Sequence, residues 1–121
     1  MNEVERAMAP GSVEQACKQS RAPIDLDHLH RQTMGDSALG REVLDLFIEQ
    51  SLSVRDQLAG AAPRQRVLLA HGLKGAARGV GAFAIAECAD AIERNPDDPD
   101  HVERLASLVE DVRAFVAALN G

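Results

Sequence analysis

The chain has 121 residues, a net charge of −6, 45% hydrophobic and 26% charged residues, and 2% aromatics with neither Trp nor Tyr. That length holds one domain around one core, and the core must be built from Leu, Val, Ile and Ala, which suits closely packed helices. The acidic balance without any run of Lys or Arg argues against nucleic acid, and no stretch is long and apolar enough to cross a bilayer.

Met1 to Glu5 lack the basic end and apolar run of a signal peptide, so a cytoplasmic location is expected. Residues 1–23 are polar and broken by Pro10-Gly11 and Pro23. Within them Ser12 to Ser20 fits a short helix, with Ser12 as N-cap and Gln15 three residues on. This segment is expected to be an extension, either a tail or a capping helix across the end of a bundle formed by residues 24–121.

Asp25 to Thr33 reads as a short helix ending at Gly35. Asp36 then caps a long helix to about Leu58, with Leu39, Val43, Leu44, Phe47, Ile48, Val54 and Leu58 at helical spacing. Gly60-Ala61-Ala62 forms a turn, and Pro63 suits the first position of the next helix, where its missing N–H is not needed. That helix runs to about Gly81. Another spans about Phe83 to Arg94 and stops before Asn95-Pro96. Asp98-Pro99 opens the last helix, whose Val102, Leu105, Val109, Val112, Val116 and Leu119 alternate three and four apart as a bundle seam. No strand pattern and no repeat occurs. Four main helices with short links predict an all-α, antiparallel up-down-up-down four-helix bundle with a short N-terminal helical extension.

The helix from Pro63 is the most informative. With about 100° per residue, Leu69, Leu73, Ala76 and Val80 lie within roughly 40° of the side opposite His71, and Lys74, Gly75 and Arg78 within about 60° of it. His71 therefore faces solvent between two cations. Gly72, Gly75 and Gly79 form a bare strip beside it where another backbone can approach. Pro63 to Val80 also carries Arg64, Arg66, Lys74 and Arg78 and no acid. A basic helix in an acidic chain suits an anionic partner or a phosphoryl group; it suits a solvated helix face equally.

The pattern His71-x-Leu73-Lys74-Gly75, with Gly81 ten residues after the histidine, resembles the histidine phosphotransfer (HPt) domain family of bacterial two-component phosphorelays. Ala82 to Glu93, with Cys88 and the Ile92-Glu93 ending, resembles the family's next helix, and Ile24 to Ser51 its first helices. The resemblance covers about residues 24–119. It departs in Ala76 and Ala77, where the family often has small hydroxyl residues.

What the resemblance implies is a phosphorelay carrier without autokinase activity. His71 is the phosphoacceptor, taking the group from the aspartate of one receiver domain and passing it to another. An unperturbed histidine, with a pKa of about 6.5, is in good part neutral and nucleophilic at cellular pH. Beyond that, the reaction needs in-line approach and charge stabilisation. Lys74 is expected to stabilise the phosphoryl charge and Gly75 to leave steric access. Glu93 matches the position of a group that orients the imidazole, and it leans off the polar side marked by Glu87, Asp90 and Arg94; an ordinary carboxylate at a helix C-terminus is its other reading.

The expected partner face comprises Arg64, Val67, Gly72, Lys74, Arg78, Gly79 and Phe83. Arg78 suits partner acids or the phosphate as well as plain solvation, and Phe83 suits an exposed anchor or core packing at the helix turn. The expected partners are response-regulator receiver domains and hybrid histidine kinases, with no nucleic acid and no membrane, and the chain is expected to be a monomer. It would hold no cofactor of its own, Mg²⁺ coming with the receiver.

No zinc spacing links His28, His30, His71 and His101, and Cys17 and Cys88 form no metal or redox motif. The glycines from Gly72 to Gly81 lack the strand and the Gly-Lys-Ser/Thr ending of a phosphate loop. Two other readings stand beside the carrier. One is a receiver-binding or sequestering module that carries no phosphate. The other is a structural dimerisation bundle, which predicts an apolar face on the second or last helix, with Leu108 and Phe115 as the residues to watch.

Overall fold

Asp25 and Asp36 each begin a helix by accepting a hydrogen bond from the backbone N–H three residues on, His28 N and Leu39 N, both at 3.0 Å. Such caps satisfy donors that a helix start leaves orphaned. The structure, a computed structural model, describes residues 22–120. Among them the helices are α1 (Leu26–Gln32), α2 (Ser37–Leu58), α3 (Pro63–Val80), α4 (Phe83–Arg94) and α5 (Pro99–Asn120), with no strand. The expected helix at Ser12 to Ser20 lies outside the described residues.

Helices α2 to α5 form a closed ring. Each packs on the next, α5 returns to α2, and the backbones of the diagonal pairs stay apart. With connections of two to four residues between neighbours, this is the expected antiparallel four-helix bundle. Short α1 lies against α2 and α3. The core is aliphatic, with Leu58, Leu73, Ile85, Ile92, Leu105 and Val109 buried at its centre. Its buried hydroxyls are satisfied locally: Ser51 donates to Phe47 O at 2.7 Å and Thr33 to Leu29 O at 2.9 Å.

Two features differ from the periodicity reading, and a third bears on the dimerisation reading. The buried face of α3 is Ala70, Leu73, Ala77 and Val80, while Leu69 and Ala76 are half-buried. The helix has turned toward α4, its most extensive partner, because two alanines there allow close approach. Leu39 and Leu119 are exposed; each sits in a terminal turn of its helix, beyond the layers that the neighbours cover. Leu108 and Phe115 pack against the core as half-buried residues, so they contribute no bare apolar face to α5.

Gly81 joins α3 to α4. It takes φ +89, and its N–H closes α3 onto Ala77 O at 3.1 Å. Its carbonyl accepts from Asp25 N at 2.9 Å, tying the start of α1 to the hairpin. A Cβ there would meet Asp25 O at 2.8 Å in addition to the left-handed strain. Gly72 and Gly79, by contrast, are helical and have nothing within 4 Å of an added Cβ. Gly81→Ala is therefore expected to destabilise the fold by about 1–3 kcal/mol, and Gly79→Ala to stabilise it by about 0.5–1 kcal/mol. Denaturant midpoints of the two variants check the opposite signs.

Candidate functional site

His71 lies midway along α3 with its side chain 72% exposed. Its Nδ1 is 3.1 Å from Oε2 of Glu93 on α4. The other oxygen of Glu93, Oε1, is 2.6 Å from Nζ of Lys74. Lys74 Nζ in turn donates to Asp90 Oδ1 at 3.3 Å, and Arg94 Nε donates to Asp90 Oδ2 at 3.0 Å. The result is one chain of contacts, Arg94–Asp90–Lys74–Glu93–His71, along the seam of α3 and α4. Lys74 and Glu93 are its shielded centre, 16% and 18% exposed.

Helix geometry accounts for this placement. His71 and Lys74 are three apart on α3, and Asp90 and Glu93 three apart on α4, so each pair shares a face. The antiparallel hairpin sets those faces against each other. Lys74 lies on the wheel between His71 and the buried stripe, which turns it toward α4 rather than to open solvent.

The charges are mutually stabilised. The Lys74 ammonium holds the Glu93 carboxyl below its usual range, against the opposing effect of burial, and His71 adds to the lowering. Lys74 likewise lowers Asp90, helped by Arg94, and Glu93, then Asp90, raise Lys74. When Nδ1 carries the ring proton it donates to Glu93, leaving the Nε2 lone pair as the accessible nitrogen. In that tautomer the exposed unprotonated nitrogen can act as a nucleophile, and a carboxylate behind the ring stabilises positive charge that develops on it.

The other flank of His71 is bare. Gly72, Gly75 and Gly79 are exposed, and open space surrounds each. Arg64 and Arg78 are exposed, Val67 half-buried. Phe83 is half-buried and meets His28 edge-on at 5.1 Å between ring centroids. Two cations of this helix are not where a basic face would need them. Lys74 is committed to carboxylates. Arg66 donates to Leu58 O at 3.0 Å, Ala59 O at 3.3 Å and Pro96 O at 2.9 Å, bracing two loops at the far end of the bundle; a guanidinium fork reaches orphan helix carbonyls there.

Two residues escaped the sequence reading. Asp90 passed as a marker of α4's polar side, because its contact is with another helix. Leu68 is 65% exposed one turn before His71; its position about 60° from His71 on the wheel was the available signal.

Among the described residues no group of three or more His, Cys, Asp or Glu is arranged to hold a metal ion, and no helix is long and apolar enough to cross a membrane. Cys88 is a buried thiol, pushed up in pKa by burial.

The depressed carboxyls carry a sign. Stabilisation by Glu93 and Asp90 is present above the ordinary carboxylate range and is lost as pH falls through their lowered native values; that from Lys74 is present below the ordinary lysine value and is lost as pH rises from there through its raised native value. Glu93→Gln is expected to show a flatter loss of stability between neutral and acidic pH than wild type, read from urea midpoints across that range.

Residues 42–115 match the family model described as the Hpt domain, which is more than half of the chain. Comparison with curated proteins and with solved structures returned no match.

Proposed function

Because the chain belongs to the Hpt domain family, whose members carry phosphoryl groups on a histidine in two-component systems, we propose that His71 is the phosphoacceptor in a relay between receiver domains. One observation carries this reading. His71 is the exposed histidine of the α3–α4 seam, with Glu93 behind its Nδ1 at 3.1 Å and open glycines beside it.

In the proposed step the Nε2 lone pair attacks the phosphorus of an aspartyl phosphate. The bond from phosphorus to the aspartate oxygen breaks, and the aspartate leaves as a carboxylate. The Nδ1 proton stays on the ring, which becomes cationic, and the Glu93 carboxylate stabilises that charge through the existing hydrogen bond. Transfer to the next receiver is the reverse displacement. The receiver supplies Mg²⁺ and the acidic pocket; this chain supplies the nucleophile, its orientation and a surface to dock on, which is what phosphoryl transfer mostly requires. The chain acts as a monomeric carrier, not as an autokinase.

The partner approaches from the glycine flank. Gly75 and Gly72 admit the receiver's loops and Leu68 provides apolar contact on that flank, while Arg64 beside His71 and Arg78 toward α4 provide positive charge for an acidic partner, with Val67 half-buried on the α4 side. Lys74 is given a different part from the one its spacing implies. In the resting site its ammonium is 2.6 Å from Glu93, so its first role is to hold that carboxylate, with phosphoryl contact requiring it to turn away from α4.

The experiment is phosphotransfer from a panel of phosphorylated receivers to wild type and His71→Gln. The expected result is label on wild type alone, acid-labile and base-stable. A receiver that binds both proteins while labelling neither leaves a docking module and overturns the carrier. Gly75→Leu should abolish transfer while leaving the thermal midpoint at or above that of wild type, since leucine is the better helix former and the space is open; circular dichroism beside the transfer assay checks both halves.

A further inference from the structure

The contact chain at the α3–α4 seam extends past the residues used above, and the structure assigns Asp90 as a positioning residue that sets the His71 tautomer through Lys74 and Glu93. This rests on the carrier reading for its consequence, though not for its geometry. Asp90 does not touch His71.

Glu93 has two tasks that compete. Its Oε2 must stay toward His71 Nδ1 and its Oε1 toward Lys74 Nζ. It sits in the last turn of α4, where the helix dipole opposes a carboxylate, so it depends on the ammonium. A lysine ammonium is a point charge on a flexible stem. Paired with Glu93 alone, it would follow that carboxylate through its rotamers and fix nothing.

Asp90 supplies the second point. It holds Lys74 Nζ at 3.3 Å through Oδ1, while its Oδ2 is held by Arg94 Nε at 3.0 Å. Both oxygens of Asp90 are thus occupied, and its carboxylate plane is set by a partner one turn along the same helix. The ammonium lies between two carboxylates on one face of α4, three residues apart, hydrogen-bonded to Asp90 and ion-paired with Glu93. Glu93 Oε1 then has a defined position, and Oε2 is directed at the imidazole. The lowering of each carboxyl by Lys74, and the raising of Lys74 by both, agree with this sharing. Asp90 is 37% exposed, so its replacement disturbs the network without opening the core.

The test measures the His71 ring in the full chain, without any partner. Nitrogen-15 shifts of Nδ1 and Nε2 in the neutral imidazole report the tautomer ratio. Wild type is expected to favour the Nδ1–H form. Asp90→Asn should move the pair toward the values of a solvated histidine, and Asp90→Glu should restore much of the wild-type pattern. Lys74→Met should produce the same shift, and adding Asp90→Asn to it should change nothing more, as expected for residues acting in series.

An unchanged ratio in Asp90→Asn overturns the assignment. So does an Asp90→Asn effect that persists undiminished in the Lys74→Met background. In single-turnover transfer from a phosphorylated receiver, Asp90→Asn should lower the maximal rate constant by about two- to fivefold, the scale of one partly exposed ion pair, with the half-saturating receiver concentration unchanged. A rise in the half-saturating concentration alone would mean that Asp90 meets the partner directly, and would also overturn it. The ring shifts need no transfer, so failure of the carrier reading and failure of this one remain separable.

Discussion

The close approach of α3 to α4 is the constraint on which the rest of the site depends. Glu93 can reach both His71 and Lys74 only if the two helix axes are near and their residues are in register. Nearness is permitted by small buried residues on both helices, Ala70 and Ala77 on α3 and Ala86 and Ala89 on α4. Register comes from Gly81, whose left-handed φ of +89 stops α3 and lets α4 begin two residues later. His71 lies ten residues before that turn and Glu93 twelve after it, which at about 1.5 Å per residue sets them at similar heights. A hydrogen bond at 3.1 Å has little slack. A larger side chain at Ala77 or Ala89 would separate the helices and take Glu93 out of range before it unfolded anything.

From that pairing follows a division of labour around the histidine. The α4 flank is occupied by alternating charges, each with a partner, and it fixes the ring. The opposite flank holds glycines and exposed Leu68, and it is empty. Orientation and access make opposite demands on a surface, one for fixed contacts and the other for none. Placing them on two sides of one helix satisfies both. The helix also spends less of its positive charge on that open side than its composition suggests. With Lys74 neutralised and Arg66 bracing loops, Arg64 and Arg78 are what remain to attract an acidic partner.

Much of this was legible in the amino-acid sequence because it is written in short-range patterns. The caps at Asp25 and Asp36, the stop at Gly81, the break at Asn95-Pro96 and the seam of α5 each follow from residue types within one or two helical turns. The exposure of His71 follows from a wheel. The same reasoning placed the buried stripe of α3 on Leu69 and Ala76 rather than Ala70 and Ala77, because a wheel centres the stripe on the apolar residues, whereas the real face turns toward the neighbour that can come closest.

The sequence by itself determined the helices, the bundle, the presence of one solvent-facing histidine on a glycine-flanked helix, and the carboxylate at Glu93 that leans off its own polar face. Only the tertiary structure decided which charges meet. Lys74 stands one turn from His71 in the chain, yet its ammonium belongs to Glu93 and Asp90; Arg66 stands on the same basic helix, yet it serves the loops at the far end. The reason is physical. Local order depends on neighbours within about four residues, while an ion pair between helices depends on axial separation, rotation and height, which arise only when the whole bundle packs.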